Sequence, residues 1–229
     1  MSICDMQNLN RDTIAYISSV IHPGMTLQHV RTLCEEYLLS HGADSFWYWD
    51  VGAFVFRGAE TILSVSGRQY HTPDSVIESN DIITIDLSPQ RSNVWGDYAR
   101  TLILEDGIVI TDPVKVRNEQ WRDGLRMEKR LHEALCSFVC RDTTFEKLFY
   151  YMNDLIRENG YVNLDFLGNL GHSIVRNKDE RIYIEKGNVT KLSEVEAFTF
   201  EPHISLPGGR YGYKMENIYS FEGEHLTEL

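Results

Sequence analysis

The feature that most constrains this chain is an internal echo. Thr26-Leu27-Gln28-His29-Val30 and Thr144-Phe145-Glu146-Lys147-Leu148 stand 118 residues apart (26 to 144), and both read as helix starts. In each, a threonine at the N-cap can accept a hydrogen bond from a free N–H of the first turn. An apolar pattern follows it, Leu27, Val30, Tyr37 and Leu38 in one copy and Phe145, Leu148, Leu155 and Ile156 in the other. Each helix stops at a glycine, Gly42 or Gly160, after which the chain turns toward a β-rich stretch. Two halves that repeat a helix and then a strand region predict a pseudo-symmetric domain of helices and strands.

The strands are read from short β-branched and aromatic runs. Asp81 to Asp86 (DIITID) is a buried strand, Tyr98 to Leu104 a second, and Glu105-Asp106-Gly107 a hairpin turn. Asp112-Pro113 opens a long helical stretch through Gln120, Leu125, Met127, Leu131 and Leu135. In the last third, Ala197 to Phe200 and Tyr213 to Phe221 read as strands, with a turn at Glu222-Gly223. The expected fold class is α+β, with helices packed on a mostly antiparallel sheet and two halves wrapped around a central cleft.

The length of 229 residues, 42% of them hydrophobic, supports one substantial core, so residues 1–229 are expected to form one domain. A formal net charge of -12 with no basic block argues against nucleic acid as a partner. No run of about 18 apolar residues occurs, and Met1 to Asn10 lacks a basic segment followed by an apolar one. A soluble, cytoplasmic protein with no membrane partner is the expectation. Cys4, Cys34, Cys136 and Cys140 form no CxxC pair; Cys136 and Cys140 fall at i,i+4 inside the predicted helix, and packing is the role expected of all four.

The chemistry lies in acidic residues at strand ends, which are rigid places for metal ligands. Asp86 closes one strand and Asp97 opens the next, eleven residues later, so a hairpin brings both carboxylates to one place. Two aspartates alone are equally consistent with solvated strand caps. The second half adds His172 in Gly171-His172-Ser173, Glu201 before Pro202, and Glu216 in Gly212-Tyr213-Lys214-Met215-Glu216-Asn217. Four carboxylates and one imidazole suit two divalent ions of the Mn, Fe, Co or Zn type, with bridging carboxylates balancing the charge.

The order and context of these residues resemble the metallopeptidases of the pita-bread fold: methionine aminopeptidase, aminopeptidase P, prolidase and the creatinase-like proteins. Ile85-Asp86-Leu87 is similar to the first aspartate motif, and Gly96-Asp97-Tyr98-Ala99-Arg100-Thr101 to the second. Gly171-His172, Phe200-Glu201-Pro202 and the segment ending in Glu216 resemble the remaining motifs, with Lys214 where arginine is common. Glu222-Gly223-Glu224-His225-Leu226-Thr227 resembles the closing hairpin of the aminopeptidase P and prolidase branch, and His22-Pro23-Gly24-Met25-Thr26 the family's approach to its first helix. The resemblance covers about Asn10 to Leu229, the catalytic domain alone. It implies a pseudo-twofold-symmetric pita-bread fold, a curved antiparallel sheet covered by helices.

The resemblance further implies two metal ions on Asp86, Asp97, His172, Glu201 and Glu216, and attack on a scissile carbonyl by a hydroxide bridging them. Glu201 is then the catalytic proton shuttle as well as a ligand, and His71, fifteen residues before Asp86, corresponds to a substrate-binding histidine; the alternative is a turn histidine beside Pro73. The expected reaction removes an N-terminal residue from a short peptide, with Xaa-Pro substrates favoured.

One position departs from the pattern. Family peptidases usually carry a second histidine seven residues after the metal histidine, donating to the substrate carbonyl, and here that position is Asp179. A carboxylate cannot act as an oxyanion donor. His203, just after Glu201-Pro202, is a candidate to supply an imidazole instead. The aromatic run Phe46-Trp47-Tyr48-Trp49 offers Trp49 as a cleft wall or, equally, as core packing, and Arg210 is a candidate for a substrate carboxylate or a loop cap. Two alternatives stay open: a small-molecule enzyme cleaving another C–N or C–heteroatom bond, and a non-catalytic peptide-binding module. A homodimer is a further expectation.

Overall fold

A computed structural model describes residues 1–229. Four α-helices carry the echo. Helix α1 (Ile3–Val20) starts at a capping box between Ser2 and Asp5, and α2 (Leu27–Ser40) at Thr26, whose Oγ1 accepts the His29 N–H at 3.1 Å. Helix α3 (Glu119–Phe138) is capped by Asn118, and α4 (Phe145–Glu158) by Thr144, whose Oγ1 accepts the Lys147 N–H at 3.2 Å. Each such cap stabilises its helix by about 1 kcal/mol. The offset of 118 holds for both ends of the second helix in each pair, 27–40 against 145–158, and for the end of the first, Val20 against Phe138.

The strands repeat the same plan. After α2 the chain forms β1 (Ser45–Phe46), β2 (Ala53–Arg57), β3 (Asp81–Leu87), β4 (Pro89–Arg91), β5 (Val94–Trp95), β6 (Tyr98–Glu105) and β7 (Ile108–Val109). After α4 it forms β8 (Val162–Asn163), β9 (Ser173–Ile174), β10 (Ala197–Phe200), β11 (His203–Ser205), β12 (Gly212–Lys214), β13 (Asn217–Glu222) and β14 (His225–Glu228). The first set pairs in the orders β2-β3-β6-β7 and β1-β4-β5, and the second in the matching orders β9-β10-β13-β14 and β8-β11-β12, antiparallel throughout. This is the pita-bread fold with its internal pseudo-twofold.

Each half has its own apolar cluster. Met6, Ile17, Leu27, Val30 and Leu38 of α1 and α2 pack on Val55, Ile83, Ile85 and Leu104. In the second half Leu131, Leu135, Leu148, Met152 and Ile156 pack on Phe198, Phe200 and Tyr219. Ile82 and Ile103, from strands of the first half, point into the second cluster, because alternate side chains of a strand face opposite ways. The central strands are thus covered on both faces. No helix is long and apolar enough to cross a membrane.

Three details differ from the sequence reading. Asp112-Pro113 does open a helical turn, but only a 3-10 turn over Pro113–Lys115; α3 begins at the second cap, Asn118, because Val116 between them is drawn into the core. The helix ends at Phe138, so Cys140 lies beyond it. The apolar run from Tyr213 to Phe221 is broken at Met215-Glu216, where the chain leaves one sheet and joins the other. Nothing in that alternating run marks a break, since its cause is a partner 117 residues earlier: Glu216 N–H donates to the Ala99 carbonyl at 3.0 Å.

Candidate metal centre

The pseudo-twofold places four carboxylates in two equivalent pairs. Asp86 lies at the end of β3 and Glu201 just past its counterpart β10, while Asp97 and Glu216 immediately precede the counterparts β6 and β13. All four therefore converge where the halves meet. Carboxylate oxygens of Asp86, Asp97 and Glu216 lie within 4.8 Å of one another. His172, immediately before β9, has no counterpart of its kind in the first half; its Nε2 is 3.4 Å from Asp97 Oδ2 and 3.9 Å from Glu201 Oε1.

Backbone contacts hold each of these residues. Gln7 on α1 donates to the Asp97 carbonyl at 3.0 Å and accepts its N–H at 3.2 Å. Arg100 donates to the carbonyls of Ala99 and Glu216 at 2.7 and 2.8 Å, tying the two halves together beside the carboxylates. Gly171 brings the His172 strand close to β10: its φ is +135°, and a Cβ there would stand 2.3 Å from the Thr199 carbonyl oxygen. His172 N–H donates to Thr199 Oγ1 at 3.0 Å, and its Nδ1 lies 3.1 Å from the Ser173 carbonyl. Because that carbonyl only accepts, Nδ1 carries the hydrogen and Nε2 turns a lone pair toward the carboxylates.

Electrostatically the cluster is unfinished. Glu216 is fully buried and neither of its carboxylate oxygens has a hydrogen-bond partner. Burial, then the neighbouring Asp97, pushes its pKa well above the ordinary carboxyl range, and burial with Asp86 does the same to Asp97. Glu201 is pushed up to about 7, mainly by burial. One cation sits among them: Lys214 Nζ is 2.6 Å from Asp86 Oδ2 and 3.2 Å from Glu201 Oε2. Burial works against its charge, but Asp86, Glu201 and Glu216 outweigh that and hold the ammonium protonated. A single ammonium leaves Glu216 bare. Four clustered carboxylates and one imidazole with a free Nε2 fit divalent ions of intermediate hardness, which would satisfy the orphaned oxygens and reverse the penalty on the charged forms.

A stability prediction follows. Glu201 has a folded-state pKa of about 7 against an ordinary 4.5, so its stabilising contribution is complete below 4.5 and is lost as pH rises through 7. Asp97 and Glu216 shift in the same direction. The Tm of metal-free protein is expected to fall from pH 4.5 to 7, and stoichiometric Mn at pH 7 to restore it; calorimetry with and without chelator checks both.

Beside the carboxylates opens a cleft of about 330 Å³. Trp47, Tyr48, Phe54 and Phe56 form an aromatic wall, and Trp47, Trp95 and Tyr183 surround His172 with ring centroids at 5.7, 5.8 and 6.0 Å. His203 also lines the cleft; burial lowers its imidazole to about 4, and its Nε2 lies 2.7 Å from the Thr61 carbonyl. With Nε2–H spent on Thr61, the neutral ring has no second N–H for an oxyanion, which corrects the role suggested for it from sequence.

Other candidates lie elsewhere. His71 is exposed and does not line the cleft. Trp49 is 56% exposed, turned outward by a left-handed backbone at Trp49 and Asp50 (φ 57° each); its neighbours Trp47 and Tyr48 form the wall instead. Arg210 is exposed at a separate depression beside Trp121 and Arg57. Asp179 is exposed on a 3-10 turn, and the residues of that segment that reach the cleft are Arg181 and Tyr183. No carboxylate therefore occupies the cleft on that side.

Sequence reasoning passed over Arg181, Asp165 and the supporting residues of α3. His132 lies on the buried stripe of α3, where its spacing with Glu128 and Leu135 reads as core. Its Nε2 is 3.1 Å from the Met215 carbonyl and its Nδ1 2.7 Å from the Tyr219 hydroxyl, with the ring edge-on to Phe200, 5.0 Å between centroids. It thus touches the residues preceding both Glu201 and Glu216. His132→Leu is expected to weaken binding of divalent ions by about tenfold, as loss of an outer support does; calorimetric titration with Mn measures it.

Comparison with known proteins gives one family and one fold. The model of metallopeptidase family M24 matches residues 3–221. An Xaa-Pro dipeptidase of Lactobacillus helveticus is 25% identical over 134 residues, 58% of this chain and 33% of that protein. Among solved structures, an X-Pro aminopeptidase from Thermotoga maritima superposes with a TM-score of 0.79 at 22% identity, covering 99% of this chain and 59% of the other. The prolidase from Pyrococcus furiosus gives 0.79 at 19%, covering 97% and 60%. These structures share the fold, and the chain spans about three-fifths of each.

Proposed function

Because the chain belongs to metallopeptidase family M24, we propose that its cleft removes the N-terminal residue from short peptides, Xaa-Pro dipeptides foremost, with two divalent ions held by Asp86, Asp97, His172, Glu201 and Glu216. The observation that carries this reading is the buried, unpartnered Glu216 carboxylate grouped with Asp86 and Asp97, which themselves line a peptide-sized cleft. When bound, such ions polarise a carbonyl and lower the pKa of water toward neutrality.

The chain's own groups do the rest. Glu201 lines the cleft beside His172 and Lys214, and its carboxylate can take a proton from the attacking water and return it to the leaving nitrogen. Lys214 grips one oxygen of Asp86 and one of Glu201 and so fixes how the two carboxylates present their remaining oxygens. The aromatic wall gives a flat surface for a proline ring.

Arg181 supports dipeptides in particular. Its guanidinium lies 4.8 Å from the Trp47 ring centroid and 5.8 Å from those of Tyr48 and Tyr183, and Nε donates to the Lys178 carbonyl at 2.7 Å. Its two terminal nitrogens face no carboxylate of the protein. A rigid, unpaired fork at the cleft suits the free carboxylate of a dipeptide. Arg181→Ala is expected to raise KM for Gly-Pro about tenfold with little change in kcat, and to leave the amide Gly-Pro-NH2 unaffected. The wider test is a peptide panel read by mass spectrometry: Xaa-Pro should be cleaved in preference to Xaa-Ala, and equal cleavage would remove the proline preference.

A further inference from the structure

One corner of the cleft carries polar groups that peptide hydrolysis as described leaves unused. His203 on β11 is 6% exposed, and the Thr61 carbonyl holds its Nε2. Thr61 is itself fully buried and pinned, its hydroxyl donating to the Gly58 carbonyl at 2.7 Å and accepting the Gly212 N–H at 2.8 Å. The fit is close, since a Cβ at Gly212 would stand 2.8 Å from His203 Nε2. The ring cannot turn without breaking that contact, so Nδ1 is the nitrogen left over, and it has no partner in the protein.

Asp165 lies alongside. The N–H of the preceding Leu164 donates to the His203 carbonyl at 2.8 Å, which sets the two residues side by side. Asp165 Oδ1 accepts from Ser64 Oγ at 2.9 Å and from the Phe166 N–H at 2.7 Å, while Oδ2 has no protein partner. The Ser64 contact joins the two lips of the cleft, whose tips are Leu63, 45% exposed, and Phe166, 62% exposed. The corner therefore combines an apolar entrance with two unpaired acceptors, one of them anionic. It stands against Thr61 and the first-half lip, whereas Arg181 stands against Trp47 and Tyr183, so a peptide with its carboxyl end at Arg181 has its first residue free to reach Asp165 and His203.

We propose that this corner is a specificity pocket for a basic first residue, Lys or Arg, whose methylene stem lies on Leu63 and Phe166 and whose cationic head is held by Asp165 Oδ2 and His203 Nδ1. A long side chain that buries its stem and presents its charge at the tip matches that arrangement. A neutral aliphatic residue of equal length leaves both acceptors bare, and an acidic one is repelled. The proposal rests on the peptidase reading for the direction in which the peptide lies.

Binding without turnover separates the two. The Kd values of Lys-Pro, norleucyl-proline and Glu-Pro would be measured by calorimetry on the Mn-loaded Glu201→Gln protein, beside kcat/KM on the unaltered chain. Lys-Pro is expected to bind about tenfold more tightly than norleucyl-proline, with Glu-Pro weakest. Asp165→Asn should bring Lys-Pro and norleucyl-proline within about threefold of each other, and so should His203→Gln, whose amide can still reach Thr61 but offers nothing at the Nδ1 position. His203→Asn, with an amide at the Nδ1 position, should keep part of the preference, and unchanged Tm values would show that the variants are folded. Equal Kd values for Lys-Pro and norleucyl-proline in the unsubstituted corner would overturn the proposal, whatever the turnover. A tenfold preference with no hydrolysis of any peptide would sustain the pocket and remove the peptidase reading, and binding of none of the three peptides would remove both.

Discussion

Glu201→Gln is expected to abolish turnover while leaving the protein folded and able to bind divalent ions. The amide keeps an oxygen where the carboxylate presents one, so a ligand contact survives in weakened form, but it cannot accept and return a proton. Loss of a proton shuttle costs about 10² to 10⁴ in kcat. The higher end is expected here, because the cluster's other second-half carboxylate, Glu216, is fully buried and does not line the cleft, and Asp86 is held by Lys214 at 2.6 Å against 3.2 Å for Glu201. Metal content and kcat measured on one preparation decide the matter. A drop in kcat that only mirrors lost metal would make Glu201 a ligand and nothing more.

Asp97→Ala is expected to have the largest effect on metal binding. Asp97 lies within 4.8 Å of the Asp86 and Glu216 oxygens on one side and 3.4 Å from His172 Nε2 on the other, so it is the carboxylate that stands between the acidic group and the imidazole. Removing a support outside the ligand shell costs roughly 10- to 100-fold in affinity, and removing a central ligand should exceed about 10³-fold. The metal-free proteins should show the opposite order. Burial, and then the neighbouring Asp86, push the Asp97 pKa well up, so alanine relieves a penalty. The metal-free variant is expected to melt no lower than metal-free wild type at pH 7, and the wild type to pull ahead once Mn is added. A variant that melts lower in both conditions would mean that Asp97 serves packing and not a metal.

Much of the fold was legible because the chain states it twice. Thr26 and Thr144 mark equivalent caps, and Gly42 and Gly160 mark equivalent stops with positive φ, 137° and 80°. Asp86, Asp97 and Glu201 were legible for a related reason, since each sits at the end of a β-rich run and the repeat brings strand ends together; Glu216, inside a run that reads as one strand, was legible only through the resemblance of its motif. What local sequence could not carry is which loop residues face inward. Trp49 follows two aromatic residues, Trp47 and Tyr48, and differs from them in a left-handed backbone that it shares with Asp50. His71 and Arg210 belong to loops whose course depends on distant contacts. Arg181 and Asp165 lie in stretches without periodicity and reach the cleft through partners far away, Trp47 for one and Ser64 for the other. Lys214 stands out in sequence only as a lysine where arginine is common, and its pairing with Asp86 spans 128 residues.

The most direct test of the account is hydrolysis itself. Metal-free protein would be reconstituted separately with Mn, Fe(II), Co and Zn and given a mixed set of short peptides that includes Xaa-Pro sequences, with products read by mass spectrometry beside an Asp97→Ala control. The account predicts loss of the N-terminal residue only when metal is present and only with Asp97 intact. Two ions bound per chain with no peptide cleaved would contradict it, and would turn the search toward a small molecule as the substrate of this centre.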